Sequence, residues 1–159
     1  MTGRIAAVFG DNIDTDVIYP GRYLNVTDRE KTAEHLFELA WPDVRGRLRP
    51  GDILVAGGNF GCGSSREQAA AAIKYAGVGA VIARSFARIF YRNAINLGLP
   101  ALLAEVAADA GDELEIDLAS GLIRNRSTGR QFRAAPLDTR AVELLNAGGL
   151  IPYLRRKYA

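Results

Sequence analysis

The 159 residues are enough for one domain with a sizeable core, and 48% hydrophobic with 24% charged residues is the balance of an ordinary globular protein. A net charge of +2 with scattered Lys and Arg argues against a nucleic-acid partner, and no apolar run is long enough for a membrane span or arranged as a signal peptide, so a cytoplasmic protein is expected. Cys62 is the single cysteine and His35 the single histidine, which excludes an internal disulfide and leaves little material for a metal site or a Ser-His pair.

In chain order, GRIAAVF (3–9) reads as a first strand, and GDNIDTD after it is a turn cluster whose side chains bond their own backbone. VIYPGRYL reads as extended, because Pro20 disfavours a helical Tyr19. Thr27 or Asp28 caps an expected helix through EKTAEHLFELA, with Ala33, Leu36, Phe37 and Ala40 on one face. Within it, His35 lies among Lys31, Glu34 and Glu38 and reads as a solvated or lightly paired surface residue. WPDVRGRLRPGD ends that helix with its prolines. A βαβ unit follows: ILVAGG as strand, a helix from Ser64 onward, GVGAVIARS as strand, and FARIFYRNAINLG as a helix ended by Gly98. From DELEIDL to AAPL the pattern alternates like antiparallel strands, with SG and TG as turns. A last helix stops at Gly148-Gly149, before a short basic tail.

The stretch GGNFGCGSSREQAAAAIKYAG (57–77) carries the chemistry. A strand that ends in glycines and turns into a helix leaves backbone N–H groups free, and these attract an anion. Gly61 and Gly63 permit a close approach that a Cβ would prevent. The plain alternative is a capping box between Ser64 and Glu67, with Arg66 as a surface charge. The lysine of a phosphate-binding GxxxxGK[ST] loop is missing.

GGNFGCGSSRE, DNIDTDVIYPGRYL upstream and VIARSFARIFYRNAINLGLP downstream occur in one order, and together they resemble the small, swivelling subunit of the aconitase-type hydro-lyases, nearest to the isopropylmalate dehydratase branch. The resemblance implies a three-layer β/β/α swivelling domain over residues 1–159, with a parallel core sheet plus antiparallel strands. It implies half an enzyme, inactive alone, that docks on a large subunit whose cysteines hold a [4Fe–4S] cluster. No metal ligand is assigned to this chain, since one thiolate cannot hold such a cluster, and Cys62 reads as a loop filler. By the same resemblance Ser64 is the base that moves a proton on the carbon beside a carboxylate. Ser65 and Arg66 hold substrate carboxylate, Gly61 and Gly63 clear the anion loop, and Thr15 and Asp16 form a second catalytic segment. A serine hydroxyl is too weak a base unless its alkoxide is stabilised, which clustered N–H donors and an arginine would do.

The segment beginning at Tyr23 reaches the substrate's variable group in this family, and enzymes for tricarboxylates place an arginine there. Here it reads Tyr23-Leu24-Asn25-Val26. A distal carboxylate would lack its fork partner, whereas Leu24 and Val26, with Asn25 between them, suit an isopropyl branch. The expected substrate is therefore a 2-hydroxy diacid interconverted between 2- and 3-isopropylmalate, a step of leucine biosynthesis. Homoaconitase, citramalate or dimethylmalate dehydratase small subunits are the alternatives, as is a noncatalytic anion-binding module. Arg22 and Arg29 read as surface charges. Arg84, Ser85, Arg88 and Arg92 are left open between the cleft and the large subunit.

Overall fold

The computed structural model describes residues 1–159. Seven strands form one sheet in the order β4-β3-β2-β1-β5-β6-β7. Strands β1 (Thr2–Val8), β2 (Ile53–Ala56), β3 (Ala80–Ala83) and β4 (Ala101–Leu103) pair in parallel, while β5 (Glu113–Ile116), β6 (Leu122–Asn125) and β7 (Gln131–Arg133) continue from β1 antiparallel. Strands β2 and β3 are buried along their whole length, as continuous apolar runs covered on both faces must be. Their side chains alternate between two cores. Leu54, Ala56, Val81 and Ala83 enter a cluster of 26 buried residues shared with the helices. Ile53, Val55, Ala80 and Ile82 enter a second cluster of 11, which also contains Leu114, Ile116 and Ile123 of the antiparallel strands. The sheet therefore curls so that its antiparallel part covers one face of its parallel part, with helices on the other: the β/β/α layering the resemblance implied. Beyond β7 the chain reaches the far side of the sheet, where Ala135 N–H donates to the Leu103 carbonyl at 2.8 Å.

Helix α4 (Glu67–Tyr75) is buried continuously from Ala69 to Ile73, because the sheet lies on one side and neighbouring helices on the others. Helix α5 (Arg88–Asn96) ends before Gly98, and α6 (Thr139–Ala147) is capped by Asp138 and stops at Gly148, as expected. The hairpins β5–β6 and β6–β7 turn at Gly121 and Gly129.

Five expectations fail for identifiable reasons. The helix through residues 30–40 is only α2 (Arg29–Glu34), capped by Asp28. Phe37 takes a left-handed conformation (φ 57°), its N–H donates to Ile18 O at 2.9 Å, and consecutive residues Leu36 and Phe37 both enter the core. A continued helix would separate those two side chains by about 100°. His35 stacks on Tyr23 with ring centroids 3.5 Å apart, and its Nδ1 lies 3.4 Å from Glu38 Oε1, so the light pairing holds but the ring is not simply solvated. Around Pro20 only Tyr19 and Pro20 are extended: a single helical turn, α1 (Thr15–Ile18), precedes them and a 3-10 turn (Gly21–Tyr23) follows. Pro42 begins a short helix, α3 (Pro42–Arg47), at the first helical position where its missing N–H costs nothing. The basic tail is helical too, α7 (Leu150–Lys157), with Pro152 again in the first turn. The helix expected from Ser64 starts instead at Glu67, with Arg66 in extended conformation as its N-cap and no capping side chain. The Ser64–Glu67 capping box is therefore absent.

Candidate active site

Three loops meet at the carboxyl ends of the parallel strands, where open α/β sheets place their ligands. The loop between β2 and α4 is central. Gly57 N–H donates to Gly10 O (3.1 Å), Asn12 N–H to Gly58 O (2.9 Å) and Gly61 N–H to Ile13 O (2.7 Å), tying it to the loop after β1. On its other side Phe60 N–H donates to Ser85 O (3.1 Å) and Ala87 N–H to Phe60 O (2.9 Å), tying it to the loop before α5. Phe60, Phe86 and Phe90 pack beneath, with Phe60 edge-on to Phe90 at 5.2 Å.

This framework brings residues 49 and 50 positions apart into contact. Thr15 is buried; its N–H donates to Cys62 O at 2.8 Å and its hydroxyl to Ser64 O at 2.7 Å. Arg66 Nη1 pairs with Asp16 Oδ1; the arginine side chain is 18% exposed and the carboxylate 61%. Asp14 caps the α1 turn through Val17 N–H at 2.9 Å and presents Asp16 to the arginine. Gly21 lies against the guanidinium, since a Cβ there would stand 3.1 Å from both terminal nitrogens. Gly61 (φ 83°) and Gly63 (φ 89°) turn the loop through the left-handed region. Ser64 and Ser65 are exposed, and the backbone N–H groups of Ser64, Ser65 and Arg66 have no partner within the chain.

Thr15, Gly61, Gly63, Ser64, Ser65 and Arg66 line one side of a cleft of about 230 Å³, and Ala87, Arg88, Ile89 and Phe90 line the other. Six of the residues expected at the site thus converge, with Asp16 joined to them through Arg66. Leu24, Asn25 and Val26 do not line the cleft. Their segment is held at its edge: Tyr19 Oη donates to Tyr23 O at 2.8 Å, and Gln68 Nε2 donates to Leu24 O at 3.3 Å. Arg22 and Arg29 lie over the rings of Tyr23 and Tyr75, and Arg22 also meets Glu38 at 3.4 Å, so both are engaged away from the cleft.

Sequence reasoning left Arg88 unassigned and overlooked a bracing pair. Asp11 Oδ1 accepts from Gly58 N–H at 2.7 Å and from Arg84 at 3.2 Å, and these two, the amide first, hold its carboxyl below the usual range. The turn composition GDNID was the available signal, yet it could not reveal a partner 73 residues away. No group of three or more His, Cys, Asp or Glu side chains is placed to hold a metal ion. Cys62 is the only thiol, so this chain's donor set does not fit a [4Fe–4S] cluster. No helix is long and apolar enough to cross a membrane.

The sequence matches the profile described as "Aconitase C-terminal domain" over residues 7–105. The chain belongs to the aconitase C-terminal domain family, and its relatives are small subunits of dehydratases. It is 57% identical over 143 residues to the methanogen homoaconitase small subunit of Methanothermobacter thermautotrophicus, covering 90% of this chain and 84% of that one. It is 52% identical to 3-isopropylmalate dehydratase small subunit 2 of Archaeoglobus fulgidus (98% and 95% covered), and 55% identical to the 3-isopropylmalate dehydratase small subunit of Moorella thermoacetica (94% and 92%). The crystal structure of a 3-isopropylmalate dehydratase (leuD) from Methanocaldococcus jannaschii superposes with a TM-score of 0.93 at 46% identity, covering 98% of this chain and 93% of that one.

Proposed function

We propose that this chain is the small subunit of a cytoplasmic 3-isopropylmalate dehydratase, a two-subunit hydro-lyase interconverting 2- and 3-isopropylmalate. The observation that carries the chemistry is the convergence of Ser64, with its unpartnered N–H neighbours, on Arg66 and the Thr15–Asp16 turn. From 2-isopropylmalate the Ser64 alkoxide takes a proton from the methylene carbon beside a carboxylate while hydroxide leaves the adjacent carbon, which bears the isopropyl group, giving a C=C bond. Return of the proton to the carbon that lost hydroxide, with hydroxide added to the other, gives the isomer. Free amides and the nearby guanidinium lower the cost of the alkoxide. Ser65 and Arg66 grip a carboxylate, Asp16 orients Arg66, and Thr15 fixes the Ser64 backbone. The cluster belongs to the large subunit.

A homoaconitase small subunit is the second reading, favoured by the 57% identical relative. Against it, Leu24-Asn25-Val26 offers no arginine to a distal carboxylate, and Arg22 and Arg29 are engaged elsewhere. Anaerobic co-expression with a candidate large subunit and assay on a panel of 2-hydroxy diacids should give highest turnover with the isopropylmalates. In that complex Ser64→Ala should lower turnover at least about a hundredfold. Its stability should hardly change, because Ser64 is not a helix cap. Preference for homoisocitrate would overturn the substrate, and near-normal turnover of the serine variant would overturn the mechanism.

A further inference from the structure

We infer that the outer ridge of α5, formed by Arg88, Ile89 and Arg92, is where an acidic surface of the large subunit docks. The inference rests on the two-subunit reading above. Of the arginines around the cleft, Arg66 is paired with Asp16 and Arg84 with Asp11. Arg88 and Arg92, one helical turn apart and both exposed, have neither an ion-pair partner nor a hydrogen bond, and the first turn of α5 contains no acidic residue. Between α5 and α6 runs a groove of about 280 Å³, bounded by Arg88, Tyr91, Arg92, Asn96, Asp138 and Leu144. Its one carboxylate, Asp138, accepts from Ala141 N–H at 2.7 Å as the α6 cap. The groove thus presents two cations without an ion-pair partner beside a single carboxylate, a net positive lining.

Ile89 adds an apolar contact, 49% exposed at the rim of the cleft. A cleft whose reaction needs groups this chain lacks must open towards the subunit that supplies them, so its rim falls inside the joint surface. Arg88 belongs to both the cleft and the groove, which makes the ridge continuous with that opening. The ridge is also rigid, because Ala87 N–H is bound to Phe60 O at 2.9 Å and Phe90 packs under the glycine loop. Two fixed cations flanking an exposed isoleucine fit carboxylates on either side of an apolar spot.

Association of the purified subunits, followed by calorimetry at several salt concentrations, tests this. Arg88→Glu with Arg92→Glu should weaken association at least about tenfold and reduce its salt dependence, because two interfacial charge contacts become repulsive. Arg88→Gln with Arg92→Gln should weaken it less, and Ile89→Ser without altering the salt dependence. Circular dichroism and a thermal melt establish that each variant is folded. Unchanged association in folded variants would overturn the docking surface, as would a raised KM with unchanged association, which would give Arg88 to substrate. Failure of the unaltered chain to bind any large subunit would instead sink the two-subunit reading itself.

Discussion

Replacing Gly61 by alanine should damage the protein more than the same change two residues on, and the structure gives the margin. Both glycines are left-handed, at φ 83° and φ 89°. An L-residue there costs about 1–2 kcal/mol. At Gly63 the added Cβ would meet nothing closer than Asp14 Cβ at 3.4 Å, an ordinary contact, so the conformational cost is the whole effect. At Gly61 it would fall 2.3 Å from Phe90 Cγ and 2.4 Å from Phe90 Cβ. The second contact cannot be relieved by rotating the ring, so the loop or α5 must shift, at a further cost of about 1–3 kcal/mol. The expectation is about 2–5 kcal/mol for Gly61→Ala against about 1–2 kcal/mol for Gly63→Ala. Urea unfolding of the isolated chain with linear extrapolation measures both. Trimming the ring with Phe90→Ala should not rescue Gly61→Ala, because the offending Cβ remains. Equal losses at the two positions, or a full rescue by Phe90→Ala, would refute the packing argument that seats Ser64.

Placing an arginine at position 25 should move the kcat/KM ratio of homoisocitrate to 3-isopropylmalate upward by at least about tenfold in the assembled complex, equivalent to about 1.4 kcal/mol. Because residues 24–26 stand outside the cleft of this chain, an unmoved ratio would mean that specificity is set elsewhere. Asp11→Asn should lower stability at neutral pH while retaining an acceptor for Gly58 N–H. The folded carboxyl of Asp11 titrates below its unfolded value, so its stabilisation is present above about pH 4 and is lost as pH falls through the lower folded value. The gap between the two proteins, followed by urea unfolding across that range, should close in acid; a constant gap would show that charge is not the cause.

The parallel core was legible because runs such as ILVA and AVIA are apolar throughout, and the antiparallel strands because they alternate and turn at glycine. The failures lie where tertiary contacts override a local pattern. Nothing local tells that Leu36 and Phe37 must both be buried, which breaks the helix by sending Phe37 left-handed. Pro42 was read as a helix breaker, although in a first turn proline is tolerated, as it is again at Pro152. At the site, the glycine turns followed from residue types alone. The meeting of Thr15 with Ser64 and of Asp16 with Arg66 did not, because no periodicity encodes a contact across half a hundred residues. The resemblance carried that part.

The hydrogen bond from Ala135 to Leu103 bears on how a lone small subunit survives. A sheet of seven strands would normally offer two raw margins to other chains, and such margins are templates for aggregation. Here the segment leaving β7 fastens onto β4, so one margin covers part of the other, and what remains of β7 is three residues containing Arg133, with Arg130 beside it. Overproduced without its partner, the protein should therefore stay dispersed rather than form fibres, and can await assembly as a free chain.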